Sequence, residues 1–140
     1  MSDLLADPRY HEGIALFNQR QFYACHDIFE ALWHEAIEPD RTFLQGILQI
    51  AVGLHHLSNL NRRGATILLG EGGARLQDYQ PDYAAVDVSD LMAHSEPILQ
   101  SLQALPDGDS GEAIAIGLGL RPGNAPNLSC PRLRLQTSGV

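Results

Sequence analysis

A histidine and a carboxylate four residues apart, His26 and Glu30, mark the first place in this chain where side-chain chemistry could be built. In the run His26-Asp27-Ile28-Phe29-Glu30-Ala31-Leu32-Trp33, an α-helix puts His26 and Glu30 on one side, and Trp33, seven beyond His26, nearly on the same side. A carboxylate beside an imidazole fixes its tautomer or favours the imidazolium, which would poise a proton donor near neutrality. His26, Glu30 and His56 would also supply three nitrogen and oxygen donors of the kind zinc or manganese accepts. The pattern is neither His-Glu-x-x-His nor the doubled Glu-x-x-His of di-iron bundles. Neither a metal nor a cofactor is therefore expected.

Two helices must position this cluster. The first spans about 22–36, with Phe22, Cys25, Phe29, Leu32 and Ala36 at the spacing of one buried face. His26 falls inside the margin of that face, Glu30 at its edge, and Asp27 further out. The second spans about 41–60. It is apolar almost all round and so central, yet Gln45, Gln49 and His56 form one narrow polar stripe along it. A buried polar group without a partner costs about 1–3 kcal/mol, so this stripe is expected to meet the His26–Glu30 face. The expected binding set is thus His26, Asp27, Glu30, Trp33, Gln45, Gln49, His55 and His56, with Arg41, Arg62 and Arg63 as counter-ions for Glu30 and Asp27. Cys25, beside His26 but on the apolar face, reads as packing rather than as a nucleophile.

The remaining pattern is helical as well. Asp7 and Pro8 open a helix over about 8–20, and Asn61 caps one reaching 79. The glycines of that helix (64, 70, 72 and 73) each cost about 1 kcal/mol against alanine, tolerable where two backbones approach closely. Ser89 and Asp90 open a fifth helix to about 105, which Pro97 would kink or divide. The expected fold is all-α, a small antiparallel bundle of about five helices over 1–105, followed by an irregular Pro/Gly-rich extension over 106–140. Loop chemistry fills much of that extension, and Leu133 and Leu135 alternate with arginines as a short extended segment could.

With 140 residues, 44% of them hydrophobic, the chain is long enough for one domain with its own core. The net charge of −8 argues against nucleic acid as the main partner. There is no lysine. Six arginines face seventeen acidic residues up to Glu112, and three arginines with no acidic residue follow it. A solvated tail is the plainer reading of that basic end, and folding back onto the acidic body is the other. The most apolar window, 43–57, is interrupted by glutamines and histidines, so no membrane is expected. The opening residues lack the basic and apolar regions of a secretory signal, and two distant cysteines suggest free thiols in a reducing, cytoplasmic setting. Gly70-Glu-Gly-Gly lacks the spacing of a dinucleotide loop.

Several linked motifs carry a resemblance. His26-Asp-x-x-Glu30-x-x-Trp33, Phe43-Leu-Gln-Gly-Ile-Leu-Gln-Ile-Ala51, His55-His56 and Asn61-Arg-Arg-Gly-Ala65 occur in that order. Together they resemble the domain-of-unknown-function 309 family over about 14–80. The resemblance implies a small all-helical fold with His26, Glu30, Trp33, Gln45, Gly46, His56 and Gly64 as hallmark positions, and it supplies no activity. Asp27 stands where the family usually has glutamate.

Two functions fit these residues. One is a binding or interaction module with a buried His/Glu network, its partner another protein or a second copy of the chain. The other is a small metal-dependent or acid–base, hydrolase-like enzyme using His26 and Glu30. A pocket of roughly 300 Å³ or more beside His26 would favour the enzyme, and a solid contact there the module.

Overall fold

A computed structural model describes residues 3–136. Six helices follow one another: α1 (Pro8–Asn18), α2 (Phe22–Glu35), α3 (Asp40–Ser58), α4 (Arg62–Leu76), α5 (Val88–Gln103) and the short α6 (Glu112–Gly117). Single 3-10 turns at Asp3–Ala6 and Gln77–Tyr79 flank them, and β1 (Asp82–Tyr83) pairs antiparallel with β2 (Val86–Asp87). The all-α bundle read from the sequence is what forms, with one short helix more than its five. α3 lies at the centre, packed on α2 and on α4, with α1 against α2 and α5 against α4. Phe43, Leu44, Ile47, Leu54 and Leu57 of α3 are fully buried, as the apolar circumference of that helix requires.

The helix starts follow local chemistry. The Asp7 side chain accepts from the Arg9 N–H at 2.9 Å, and that of Asn61 from the Gly64 N–H at 3.0 Å. α5 starts slightly before the expected Ser89, because Asp87 is its cap, accepting from the Asp90 N–H at 2.9 Å. Pro97 does not divide α5. The carbonyl its ring deprives of a donor belongs to Ala93, and both residues are exposed, so water can satisfy it. Leu91, Met92, Ser95, Ile98 and Leu102 meanwhile keep the other face buried.

The glycines of α4 mark a close approach, as expected. A Cβ on Gly72 would lie 2.8 Å from the carbonyl oxygen of Gly46, and one on Gly46 2.7 Å from Leu76 Cγ. α3 and α4 therefore meet backbone to backbone.

The described part of the C-terminal segment is irregular but not a solvated tail, contrary to the plainer expectation. Leu118, Cys130 and Leu133 are buried in the core. Asn18 binds the Leu133 backbone twice, donating to its carbonyl at 3.0 Å and accepting from its N–H at 2.8 Å. Leu135 forms a bridge to Val86, and Arg121 donates to the Ser58 carbonyl at 3.0 Å. Apolar burial and these backbone bonds, more than charge attraction, hold the segment down. No helix among the described residues is long and apolar enough to cross a membrane.

Candidate functional site

The α2–α3 seam does not close completely. Phe22, Tyr23 and His26 from α2, with Val52, His55, His56 and the following Asn59, line an open pocket of about 260 Å³. The Tyr23 ring lies 5.8 Å from that of His26 and 5.3 Å from that of His55 between centroids. Tyr23 is 61% exposed, an aromatic at the mouth of the pocket.

His26 is half-buried and faces α3, but neither of its nitrogens is offered to the pocket. Nε2 meets Glu30 Oε2 at 2.9 Å. Nδ1 is buried without a hydrogen-bond partner, with Asp27 Oδ1 at 3.4 Å. The imidazole thus offers the pocket ring edge and face. Glu30 sits behind it and also approaches His34 Nε2 at 3.7 Å. Asp27 is exposed.

His55 and His56 are set by two asparagines. The Asn61 oxygen takes the Gly64 N–H as helix cap, so its amide nitrogen faces His56 Nδ1 at 3.2 Å and donates to it. His56 Nδ1 is therefore the acceptor and Nε2 carries the hydrogen of the neutral ring. A Cβ on Gly64 would stand 3.0 Å from the His56 ring, so glycine makes room for this arrangement. Asn59 Nδ2 lies 3.2 Å from His55 Nε2, leaving Nδ1 as the donor of that ring. Burial, then the neighbouring His56 and His26, hold His55 below the ordinary histidine value.

The expected set is therefore split. Gln49 turns toward α4, donating to Glu71 at 3.0 Å and accepting from Arg75 Nε at 2.9 Å. His56 is bound to the α3–α4 turn while still reaching the pocket wall. Gln45 is half-buried and outside the pocket. Trp33 lies under Arg41, whose Cζ is 4.3 Å from the indole centroid, and its buried Nε1 has no partner. Periodicity placed Gln45, Gln49 and His56 on one stripe; it could not say which neighbour that stripe meets. The seven-residue spacing of Gly46 and Gly53 on the same side is the signal that points it to α4.

The expected counter-ions also differ. Arg62 donates to the carbonyls of Leu105 and Pro106 at 2.8 Å and of Asp109 at 3.2 Å, in the turn that follows α5. Arg41 stacks on Trp33. His26 and His34, rather than arginines, face Glu30. Among the described residues no three His, Cys, Asp or Glu side chains are grouped to hold a metal ion, so His26, Glu30 and His56 do not converge as a ligand set. Burial pushes the Cys25 thiol up to about 12, which leaves it protonated at neutral pH. Tyr23, Phe22, Val52 and Asn59 were missed; an exposed aromatic three residues before His26 was the available signal for Tyr23.

Fold and pocket together define a small all-α bundle with a histidine-lined opening beside its central helix. Residues 10–68, from α1 into α4, match the family described as Domain of unknown function (DUF309), so the resemblance carried by the motifs stands. No curated protein and no solved structure matches the chain.

Proposed function

We propose that this chain is a binding module, and that its Tyr23–His26–His55 pocket takes a small ligand with an apolar body and one acceptor group, such as a short carboxylate. The composition of the lining carries this reading: Phe22 and Val52 supply apolar surface, Tyr23, His55 and His56 supply donors, and no acidic side chain is present. Donors without a carboxylate in the lining favour an acceptor over a cation, against the long-range repulsion of a chain of net charge −8. At about 260 Å³ the pocket lies just under the usual range for drug-sized ligands, which suits a small molecule.

Binding is favoured over acid–base catalysis by the state of His26. One nitrogen is engaged by Glu30 and the other is buried, so neither is placed to take a proton from a bound molecule. Glu30 then acts by holding the ring that forms the pocket wall.

NMR titration with butyrate and benzoate tests the reading. Saturable shifts at the rings of Tyr23 and His55 are expected, lost in Tyr23→Ala and His55→Ala without a change in melting temperature. Absence of saturable shifts, or shifts that survive both substitutions, would remove it.

A further inference from the structure

We propose that a second opening, the cleft where the C-terminal segment passes the α1–α2 turn, binds a small phosphate-bearing molecule through Arg20, Arg132 and Arg134. The cleft measures about 360 Å³, and these three guanidiniums share its wall with His94, Ser129 and a single carboxylate, Asp90. Three of the nine arginines of an acidic chain thus gather around one cavity that shares no residue with the Tyr23–His26–His55 pocket.

Internal pairing occupies these guanidiniums only in part. Arg134 Nη1 stands 3.8 Å from Asp90 Oδ1, beyond hydrogen-bond length, and the same oxygen also faces His94 Nδ1 at 3.6 Å. Arg132 is exposed, with no ion pair among the described residues. Arg20 is held in place by the segment it faces. Its Nη1 donates to the Gly119 carbonyl over a long 3.4 Å. A Cβ at position 119, where φ is +76°, would lie 2.6 Å from that nitrogen, so glycine creates the space the guanidinium occupies. Arg20 itself has φ of 63° in the turn closing α1, a position glycine adopts at lower cost. The side chain retained at that position reaches into the cleft.

Three planar forks exceed what one monocarboxylate can neutralise, and they suit the terminal oxygens of a phosphomonoester dianion. The cavity leaves room for the group esterified to it. The surrounding acidic surface repels such a ligand at range, so attraction is confined to the cleft and weakens with added salt.

Full-length protein titrated with inorganic phosphate, pyrophosphate and glycerol phosphate at low ionic strength, read at the arginine Nε–H signals, tests the assignment. Saturable shifts are expected at Arg20, Arg132 and Arg134 and not at the exposed Arg63. Arg132→Gln should weaken pyrophosphate binding by roughly tenfold at unchanged melting temperature, as loss of one charged hydrogen bond does. Shifts that never saturate, that appear equally at Arg63, or that Arg132→Gln leaves intact would overturn the proposal. Sedimentation with phosphatidic acid vesicles should leave the protein in solution. Pelleting that Arg132→Gln abolishes would assign the site to a lipid headgroup and overturn the small-molecule reading.

Discussion

α3 makes two unlike seams. Toward α4, Gly46 faces Gly72, Gly53 faces Leu69, and the Gln49 amide is matched at both ends by Glu71 and Arg75. Toward α2, near the C-terminal end of α3, Phe22, Tyr23, His26, Val52 and His55 hold the helices apart around an opening of about 260 Å³. Side-chain size decides the difference: where α3 and α4 carry glycine the backbones touch, and where α2 and α3 carry rings a cavity remains. Close contact contributes stability, while a tolerated gap leaves polar groups free to meet a ligand.

Substitution can break or sharpen the contrast. Gly72→Ala should have the largest effect, a loss of about 3 kcal/mol in urea unfolding, because its new Cβ meets the Gly46 carbonyl oxygen and only a shift of the helices relieves it. The neighbouring Gly73→Ala is the control. Nothing lies within 4 Å of a Cβ there, so it should stabilise by about 0.5–1 kcal/mol through helix propensity alone. Equal effects at the two positions would deny the close seam.

Asn61→Ala removes a helix cap together with the amide that orients His56, and should cost about 1–2 kcal/mol by the same measurement. In the open seam, Tyr23→Ala should change stability by less than about 0.5 kcal/mol, since its side chain is mostly exposed. A large loss there would make the ring part of the packing rather than of a binding surface.

The smallest effect is a pH dependence. His55 is depressed in the folded state, so between the folded value and the ordinary one near 6.5 the unfolded chain binds the extra proton. Stability from this residue is full above that ordinary value and falls as pH is lowered through it toward the folded one. Urea midpoints compared at about pH 7.5 and pH 5.5 should differ less in His55→Gln than in the parent chain.

Much of the frame was legible because it depends on local chemistry and period. Asp7 and Asn61 announced helix starts, and the glycines of α4 announced close contact. The parts that stayed hidden are those where period is short or azimuth ambiguous. α6, six residues long, offers too little of the 3.6 repeat to separate it from loop. The β1–β2 turn places Ala84 and Ala85 at φ of 46° and 64°, where Asn-Gly would have been the recognisable signal. The Tyr10 hydroxyl, donating to the Ala84 carbonyl at 2.9 Å, holds that turn from 74 residues away. At the site, the inward turn of His26 was readable from its place beside the Phe22–Phe29 face. The side of α3 it meets was not, because a helix apolar nearly all round does not reveal which face turns to α2.

The twofold grip of Asn18 on the Leu133 backbone, reinforced at Val86, closes the chain on itself. A single proteolytic nick in the exposed 106–109 stretch would therefore yield two fragments that stay together in native gel filtration and part only in denaturant. Integrity of the bundle thus does not require an unbroken polypeptide there, which makes this stretch a natural place for an inserted reporter.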